Sequence, residues 1–511
     1  MAAQQKQSGT LLSLLLEGMV EPGSAPDREI SGLALDSRTL PAGGLFLACR
    51  GGSSHGLDFI DQALQRGAAA IAWEPDGTEL EQRVEALAQR LNLPLIRIER
   101  LGRLVSLIAA RFYDFPSRHM TLVGITGTNG KTIVSHLLAQ ALGTRFPCGI
   151  VGTLGVGYLQ SLTATGYTTP DAVSLQRVLA DLRAQGCKAV AMEVSSHALD
   201  QERAAAVHFD TAVFTNISRD HFDYHGSMEN YAAAKQRLFH MPGLGSAVVN
   251  LDDPLGARLP AGLAADVDLL VYSLDPDREI PPGVSGWVRA AAVQPTARGL
   301  DILIDSHWGQ ARLHSQLLGR FNAANLLAVL LVLLDQGWTF ADAVQSLTAV
   351  TTVAGRMEAY GTTASPTVVI DYAHTPDALE KALQALRSHC TGTLTVVFGC
   401  GGDRDRGKRP QMGQAAEQLA DRVILSDDNP RSEPGEQIIR EILAGMTVPA
   451  RVQVQRDRGA AIHQAVQASV PGDLVLVAGK GHEDYQQVGA ETVSYTHLRA
   501  HETNCNISYA V

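Results

Sequence analysis

Cysteine is scarce in this sequence, with six in 511 residues, and no two of them form a Cys-x-x-Cys pair. A disulfide scaffold is therefore excluded and a thiolate zinc site is not expected, so we predict free thiols in a reducing compartment. Long apolar runs are also missing. The longest, Leu326 to Leu334, has nine residues, whereas a membrane-spanning helix needs about twenty. The Leu-rich stretch 11–16 lacks the basic segment and cleavage site of a signal peptide. These absences predict a cytoplasmic protein.

Basic residues are in deficit, with 42 Lys and Arg against 53 Asp and Glu, which gives a formal net charge of −11. Proteins that coat nucleic acid are basic, so nucleic-acid binding is not expected, and local basic clusters must hold any anionic substrate. The hydrophobic share of 45% and the charged share of 19% are typical of globular chains. At roughly 100–200 residues per domain, the length predicts about three domains.

Apolar runs that alternate with helical patterns predict an α/β fold with mostly parallel sheets. Residues 1–98 are predicted to form a small N-terminal α/β domain. Residues 99–352 are predicted to form a central domain that opens with the strand Thr121–Thr126. Residues 353–511 contain successive apolar strands with helices between them, which predicts a C-terminal domain with a dinucleotide-binding type of fold. From about Ser494 the periodicity is lost, so we leave this atypical tail out of the functional argument.

A glycine-rich phosphate loop follows the first strand of the central domain. The segment Gly127-Thr-Asn-Gly-Lys-Thr132 lies between the strand ending at Thr126 and a helical run from Val134 to Leu142. In this context glycines let backbone N–H groups approach phosphate oxygens, Lys131 meets the β- and γ-phosphates, and the Thr132 hydroxyl can bind Mg²⁺. The loop is a variant, because isoleucine stands where the standard pattern has its first glycine.

Ionisable side chains follow two later strands of the central domain. Glu193 ends the strand 189–193, which places its carboxylate on the ligand side of an open α/β sheet, where it can hold a metal ion beside the phosphates. The stretch from Asn216 to His225 is crowded with polar and ionisable groups. Lys235 follows on a helix, and spacing alone predicts that it is a solvated surface lysine.

Polar clusters also follow the strands of the last block: 371–377, 402–409, 427–431 and 479–483. The second of these is rich in glycine and arginine, and arginine can hold a carboxylate or a phosphate through two parallel hydrogen bonds. Because the ends of parallel strands meet at one sheet edge, the four clusters together predict a ligand crevice there.

Taken together, these motifs strongly resemble those of the Mur ligase family, from Leu35-Asp-Ser-Arg to Gly479-Lys-Gly-His-Glu-Asp-Tyr485. The other motifs are Thr-Gly-Thr-Asn-Gly-Lys-Thr, Glu-Val-Ser-Ser-His, Asp-Tyr-Ala-His-Thr-Pro-Asp-Ala-Leu and Asp-Asn-Pro-Arg. The resemblance implies three domains: an N-terminal one that binds a UDP end, a central P-loop ATPase, and a C-terminal one that binds the amino acid. It also implies an ATP-dependent, ADP-forming ligase of peptidoglycan precursor synthesis, which we expect to act as a monomer.

The resemblance assigns roles to individual residues. For catalysis it implies Lys131, Lys235, His221 and Glu193. For ATP it implies Gly127, Thr128, Asn129, Gly130, Lys131, Thr132, Ile133, Asn322, Arg356 and Asp371. For the UDP-linked muramoyl dipeptide it implies Leu35, Ser37, Gly52, Ser53, Ser54, Thr168, Thr169, Ser195, Gln201 and Arg203. For diaminopimelate it implies Arg404, Asp428, Asn429, Pro430, Arg431, Gly479 and Glu483. For Mg²⁺ it implies Thr132, Glu193, His221 and Lys235, the last as a carbamate, which would replace the surface role predicted from spacing.

Within the family, the motifs are most similar to those of the member that adds meso-diaminopimelate to the D-Glu of UDP-N-acetylmuramoyl-L-alanyl-D-glutamate through an acyl phosphate. The arginine of Asp-Asn-Pro-Arg favours this amine, because it can bind the second carboxylate that lysine lacks. Three alternatives stay open: a lysine-adding Mur ligase, a folylpolyglutamate synthetase, and a P-loop NTPase switch without ligase activity. Either His374 or Asp371 could be the base for the attacking amine.

Overall fold

The computed structural model describes residues 9–21, 23–52, 54–218, 220–362, 364–481, 483, 485–489 and 491–494. The chain separates into two compact units, one of Met1–Val271 with Pro281–Ser285 and one of Tyr272–Ile280 with Gly286–Val511. Ser53 and the tail beyond Ser494, both singled out in the sequence, lie outside the described residues.

The first unit alternates strands and helices along most of its length. Its strands are β1 (Thr10–Leu11), β2 (Glu29–Ile30), β3 (Leu33–Ala34), β4 (Leu45–Ala48), β5 (Ala70–Trp73), β6 (Leu95–Arg97), β7 (Thr121–Thr126), β8 (Cys148–Gly152), β9 (Gly155–Tyr158), β10 (Ser161–Thr163), β11 (Ala189–Glu193), β12 (Thr211–Phe214) and β13 (Ser246–Asn250); β14 (Asp268–Ser273) runs from this unit into the second. Its helices are α1 (Leu12–Leu15), α2 (Ile60–Gln65), α3 (Thr78–Arg90), α4 (Leu101–Phe112), α5 (Lys131–Gly143), α6 (Ala172–Ala184), α7 (Ser196–Asp200), α8 (Phe222–His225) and α9 (Met228–Gln236).

Two sheets organise this unit. Strands β3-β4-β5-β6 form a parallel sheet, with apolar clusters on both of its faces. In the other sheet β8, β11, β7, β12 and β13 are adjacent and parallel in that order, while β9 and β10 pair antiparallel beyond β8. The strands around β7 are buried along almost their whole length, which is expected for a parallel sheet covered on both faces.

The second unit contains β15 (Gly286–Thr296), β16 (Gly299–Ser306), β17 (Gly309–Ser315), β18 (Glu358–Tyr360), β19 (Thr367–Asp371), β20 (Leu394–Phe398), β21 (Arg422–Leu425), β22 (Gln453–Val454), β23 (Leu474–Ala478), β24 (Tyr485–Val488) and β25 (Glu491–Ser494). Its helices are α10 (Arg320–Asp335), α11 (Phe340–Thr348), α12 (Pro376–Arg387), α13 (Lys408–Leu419), α14 (Gly435–Leu443) and α15 (Arg458–Gln467). Strands β15, β16 and β17 form an antiparallel meander, which the sequence did not predict.

The C-terminal part of this unit is a second parallel sheet in the order β18-β19-β23-β20-β21-β22, with only β18 antiparallel among its described strands. A large apolar cluster under α12, α13 and α14 covers one face, and a smaller one under α15 covers the other. The α/β class with parallel sheets is therefore confirmed. Among the described residues, no helix combines the length and apolar character needed to cross a membrane.

Candidate active site

The phosphate loop and two polar segments meet at one edge of the first unit's parallel sheet. Strand β7 lies between β11 and β12, with Glu193 opposite Ile125 and Phe214 opposite Thr126. The loop that follows β7 therefore runs beside Glu193 on one side and beside the residues after Phe214 on the other. This arrangement agrees with the position of ligands at the carboxyl ends of strands in open α/β sheets.

The phosphate loop requires its two glycines. Gly127 has a φ of +152°, and a Cβ there would lie 1.9 Å from Oγ1 of Thr215. Gly130 has a φ of +89° directly before α5. The loop backbone is held from the β12 side, where the carbonyl oxygen of Asn216 accepts from the N–H of Thr128 (2.8 Å) and its Oδ1 accepts from the N–H of Asn129 (3.0 Å). Lys131, Thr132 and Ile133 then form the first turn of α5, whose N–H groups suit an anion.

Two lysines share one backbone carbonyl in this loop. Nζ of Lys131 donates to the carbonyl oxygens of Gly127 (2.9 Å) and Thr128 (3.0 Å), and Nζ of Lys235 donates to that of Gly127 (2.7 Å). Lys235 is only 1% exposed, so the surface position predicted from its spacing is wrong. Burial, with repulsion from Lys131, lowers the pKa of Lys235 to about 6. Burial therefore shifts this amine towards its neutral form.

Glu193 is fully buried, and its carboxylate accepts three hydrogen bonds from two threonines. Its Oε2 accepts from the hydroxyls of Thr132 (3.0 Å) and Thr153 (3.0 Å), and its Oε1 accepts from the N–H of Thr153 (3.0 Å). Burial raises the pKa of the Glu193 carboxyl, against the attraction of Lys131. A carboxylate and a hydroxyl in contact are the oxygen donors that Mg²⁺ prefers, so Thr132 and Glu193 fit this ion.

The other two predicted Mg²⁺ ligands are of different types. His221 precedes α8 with a φ of +54°, and its ring centroid lies 4.8 Å from that of His197. Lys235 would become an oxygen donor only as a carbamate. In the part of the chain that the structure describes, no three His, Cys, Asp or Glu side chains form a metal-binding group. The predicted set has only two residues of those types, so its use for Mg²⁺ stays a prediction.

The residues predicted to bind the muramoyl dipeptide lie around the same carboxylate. Thr169 is buried, and its hydroxyl donates to the carbonyl oxygen of Glu193 (2.9 Å) and accepts from the N–H of Ser195 (3.1 Å). Nη1 of Arg203 donates to the carbonyl oxygen of Thr169 (3.0 Å), and its Nε donates to Oε1 of Gln201 (2.9 Å). The hydroxyl of Thr168 contacts that of Thr153 (3.0 Å). The structure thus brings all five predicted residues near β11.

The predicted uridine residues differ in exposure. Ser37 is buried and donates its hydroxyl to Oε1 of Gln62 (2.7 Å), while Leu35 is half-buried against the N-terminal core. Gly52 and Ser54 are exposed in the loop after β4. The Ser37 hydroxyl is therefore engaged with another side chain, whereas the loop residues are open to a ligand. Their contact with uridine stays a prediction.

Polar clusters converge in the second unit as the sequence predicts. The strands that end near residues 371, 478, 398 and 425 are adjacent in the order β19-β23-β20-β21. At the first of these ends, Oδ2 of Asp371 accepts from the N–H of Met357 (2.8 Å) and Oδ1 accepts from the N–H of Ala373 (2.8 Å). Burial raises the pKa of Asp371. Arg356 has its guanidinium carbon 4.8 Å from the ring centroid of Tyr372.

Asn322 lies in the first turn of α10 and is fully buried. Its Nδ2 donates to the carbonyl oxygen of Leu318 (2.8 Å), and its Oδ1 accepts from Nδ2 of Asn325 (2.9 Å). Both ends of this amide are thus engaged near the start of its own helix. The contact with ATP that the resemblance implies stays a prediction.

Four of the residues predicted for diaminopimelate lie around one buried lysine. Asn429 donates through Nδ2 to Oε2 of Glu483 (3.0 Å), and its Oδ1 accepts from Nζ of Lys480 (2.8 Å). Lys480 is 1% exposed, and burial lowers the pKa of its ammonium group. A Cβ at Gly479, whose φ is +116°, would lie 2.7 Å from Oδ2 of Asp428. The amide of Asn429 is therefore held in one orientation.

The two arginines predicted to bind a carboxylate meet at a glycine. A Cβ at Gly401 would lie 2.9 Å from Nη1 of Arg431 and 3.6 Å from Cγ of Arg404. Nη1 of Arg431 also donates to the carbonyl oxygen of Gly402 (2.8 Å), and a Cβ at Gly402 would lie 1.9 Å from the carbonyl oxygen of Pro430. At Gly402 the loops after β20 and β21 are packed so closely, backbone against backbone, that only glycine fits.

Sequence reasoning missed several side chains that position the site: Thr153, Tyr231, Arg409 and Lys480. The hydroxyl of Tyr231 contacts Oγ1 of Thr128 (3.0 Å), and burial raises the pKa of Tyr231 to about 12. Thr153 lies 40 residues from its partner Glu193, and Arg409 lies 24 residues from its partner Glu433. No local pattern marks such pairs, although Lys480 lies inside a motif that could have drawn attention to it.

Comparison with known proteins identifies the family. A model of the Mur ligase family, catalytic domain, matches residues 29–113, the Mur ligase middle domain matches residues 125–333, and the glutamate ligase domain matches residues 355–481. UDP-N-acetylmuramoyl-L-alanyl-D-glutamate–2,6-diaminopimelate ligase of Alkalilimnicola ehrlichii is 48% identical over 492 residues, which cover 96% of this chain and 97% of that protein. This chain belongs to the Mur ligase family.

Further relatives agree with this membership. The ligase of the same name from Pseudomonas aeruginosa is 49% identical over 477 residues, 91% of this chain and 93% of that protein. A solved structure of a ligase with this name superposes with a TM-score of 0.72 at 32% identity and covers 97% of this chain and 98% of the other. The predicted Mur ligase fold, with N-terminal, middle and C-terminal domains, is therefore confirmed, and so is a ligase. The domain boundaries after residues 98 and 352 stay predictions.

Proposed function

We propose that this Mur ligase joins an amine of meso-diaminopimelate to the free γ-carboxylate of D-Glu in UDP-N-acetylmuramoyl-L-alanyl-D-glutamate, with ATP cleaved to ADP and phosphate. One observation carries the choice of amine: side-chain atoms of Arg404 and Arg431 both lie close to Gly401. A pair of guanidinium groups suits the second carboxylate of diaminopimelate, which lysine lacks. The names of the relatives support the same substrate pair.

In the first unit, the phosphate loop binds ATP. The N–H groups at the start of α5 and the ammonium of Lys131 bind phosphate oxygens, which requires Nζ to leave the carbonyl oxygens of Gly127 and Thr128. The γ-carboxylate of D-Glu attacks the γ-phosphorus, ADP leaves, and an acyl phosphate forms. Positioning and electrostatic stabilisation account for most of the rate in such transfers.

We assign Mg²⁺ to Thr132, Glu193, His221 and the carbamate of Lys235. When bound, the ion supplies positive charge against the phosphate oxygens. The neutral amine of Lys235 can attack CO₂, lose a proton and become an anionic carbamate. This change would also relieve the repulsion between Lys235 and Lys131.

In the second unit, the amino acid is bound by charged and polar groups at the strand ends. Arg404 and Arg431 hold the distal carboxylate, while Asp428, Asn429 and Glu483 bind the other polar groups of diaminopimelate. The attacking amine displaces phosphate from the acyl carbon and loses a proton. Leu35, Ser37 and the loop 52–54 bind the uridine end, and residues 168–203 near β11 bind the muramoyl peptide.

The test is an assay of ADP release and of product mass with purified protein, ATP, Mg²⁺ and the UDP-linked dipeptide. Diaminopimelate and L-lysine are supplied in parallel reactions, and a third reaction lacks amine. We expect ADP release that depends on both the dipeptide and diaminopimelate. Equal use of lysine would make the enzyme a lysine-adding ligase, and ADP release without amine would indicate an NTPase switch.

A further inference from the structure

Arg409 is a fully buried cation close to the proposed diaminopimelate residues, and the mechanism above does not use it. It lies at the start of α13, and its guanidinium makes four hydrogen bonds. Nη2 donates to Oε1 of Glu433 (2.8 Å) and to the carbonyl oxygen of Gly401 (3.1 Å), while Nη1 donates to Oε2 of Glu433 (3.0 Å) and to Oε2 of Glu441 (2.6 Å). Arg409 thus joins the loop after β20 to the segment before α14.

Both of these segments carry an arginine of the proposed site. Gly401 lies three residues before Arg404, and Glu433 lies two residues after Arg431. Oε1 of Glu433 also accepts from the N–H of Asp403 (2.7 Å), so a single carboxylate contacts Arg409 and the glycine-rich loop at once. The positions of the two arginines relative to each other depend on this connection.

The backbone of Arg431 is held in an unusual conformation, with its N–H donating to the carbonyl oxygen of Gln487 (3.1 Å) and its carbonyl oxygen accepting from the N–H of Gly489 (2.8 Å). Arg431 has a φ of +51°, a left-handed conformation that costs a non-glycine residue free energy and persists only where its surroundings hold it. Its guanidinium donates to the carbonyl oxygen of Gly402, which is next to the carbonyl that Arg409 binds. A small displacement of Gly401 and Gly402 would therefore move Arg431 directly.

We propose that Arg409 is a positioning residue that sets the spacing of Arg404 and Arg431, and thereby the preference for diaminopimelate over lysine. This inference rests on the proposed function. A bidentate fork on Glu433 fixes both distance and angle, whereas an ammonium group at the same place would fix neither. Supporting groups of this kind commonly change affinity tenfold to a hundredfold when they are lost.

The experiment compares Arg409→Lys with Arg406→Lys. Both arginines bind Glu433, but Arg409 is buried whereas the side chain of Arg406 is 56% exposed and binds Oε2 at 2.8 Å. For Arg409→Lys we expect the KM for diaminopimelate to rise about tenfold or more, the KM for ATP to stay within twofold, and the preference for diaminopimelate over L-lysine to fall. Arg406→Lys should stay within twofold on all three measures.

A second pair of variants separates positioning from stability. Glu433→Gln and Glu441→Gln each remove one carboxylate from Arg409, but of these two carboxylates it is Glu433 that also accepts from a backbone N–H of the glycine-rich loop, that of Asp403. Both should lower the melting temperature, and only Glu433→Gln should change the amine preference. If Arg409→Lys fails to fold, this pair alone decides the inference, since equal preferences in the two variants would overturn it.

The outcomes distinguish this inference from the proposed function. If the wild-type protein releases no ADP in response to diaminopimelate, the proposed function fails before any variant is compared. If the wild type is active and Arg409→Lys only melts earlier, with an unchanged KM for diaminopimelate and unchanged preference, Arg409 is purely structural and the inference fails alone. Equal rises in the KM for ATP and for diaminopimelate would also overturn it.

Discussion

Buried charged groups differ between the phosphate loop of the first unit and the glycine-rich loop of the second. Near the phosphate loop, burial lowers the pKa of Lys235 to about 6 and raises that of Glu193, so both groups are shifted towards their neutral forms. Near the glycine-rich loop, hydrogen bonds from Arg409 and from the Asp403 N–H hold the pKa of Glu433 at about 2. There the charged forms are favoured.

Around the phosphate loop, burial outweighs the attraction of oppositely charged neighbours and disfavours the charged forms of Lys235 and Glu193. Around the glycine-rich loop, the buried arginine is paired with a carboxylate. Uncompensated burial of charge is expensive, so the environment of Lys235 and Glu193 favours binding of groups that complete it, such as CO₂ and a cation. The Arg409–Glu433 pair is joined by two charge-assisted hydrogen bonds without a ligand and acts as a scaffold. Variants near the phosphate loop should therefore affect chemistry more than stability, and variants of the scaffold should affect both.

The largest effect is expected from Lys131→Ala. Removal of the ammonium that meets the phosphates should lower kcat by about a thousandfold or more, as losses of comparable phosphate-binding cations do. The melting temperature should stay within a few degrees, because the hydrogen bonds of Lys131 to the carbonyl oxygens of Gly127 and Thr128 lie within its own loop. Exposed Lys188 is the matched control, and Lys188→Ala should keep full activity. Near-normal turnover in Lys131→Ala would contradict the assignment of the phosphate loop.

Lys235→Arg tests whether activity requires an amine next to the phosphate loop that can lose its proton. Arginine keeps the positive charge but cannot lose its proton or take up CO₂, so we expect kcat to fall by about a hundredfold or more. Wild-type activity should also fall when bicarbonate is stripped at low pH and recover when it is returned. Lys188→Arg serves as the control for the substitution itself. An active Lys235→Arg enzyme would mean that the carbamate is not needed.

Substitutions of Arg431 test the region around the glycine-rich loop through the use of diaminopimelate as substrate. Charge-assisted hydrogen bonds contribute about 1.5–3 kcal/mol each, so Arg431→Ala should lower kcat/KM for diaminopimelate roughly tenfold to a hundredfold. Arg431→Lys should not restore it fully, because an ammonium cannot form the bidentate contact. Steady-state kinetics with each substrate varied in turn give the answer. A rise in the KM for ATP alone would place Arg431 in the nucleotide site instead.

Much of the fold could be predicted because the parallel strands are short apolar runs followed by polar clusters. The strands Thr121–Thr126 and Ala189–Glu193 were predicted with their observed bounds. The antiparallel meander β15–β17 was missed, because its half-buried strands mix polar and apolar residues and no helix lies between one strand and the next. The alternation of apolar strands with helices, which predicts the parallel sheets, is therefore absent between the strands of the meander.

The candidate site was predicted only where its chemistry is contiguous in sequence. The phosphate loop and the Asp-Asn-Pro-Arg segment carry their function in a few adjacent residues. Burial of Lys235, Arg409 and Lys480 could not be predicted from the residues alone, because long cationic side chains are normally exposed. The carboxylates and carbonyls that compensate them come from other strand ends, and only the folded topology brings these together.

The last effect concerns stability against pH rather than turnover, and it separates the two regions by pH range. His136 on α5 is buried, its Nε2 meets no hydrogen-bond partner among the described residues, and burial lowers its pKa to about 4. The unfolded chain takes up this proton below about pH 6.5, and the folded chain only near pH 4. The free energy of unfolding should therefore fall by about 3 kcal/mol as the pH drops through that range.

Glu433 should affect the free energy of unfolding at lower pH than His136 does, since its folded pKa of about 2 lies below its ordinary value of 4.5. Its contribution is present above pH 4.5 and is lost as the pH falls towards 2. Melting temperatures of the wild type, His136→Leu and Glu433→Gln between pH 8 and pH 3 test both statements. The His136 variant should flatten the curve between pH 6.5 and 4, and the Glu433 variant only below 4.5. If both variants flatten the curve of melting temperature against pH over the same pH range, the two regions do not differ in the way proposed. The contrast between a group buried in its neutral form and a group buried in an ion pair would then be wrong.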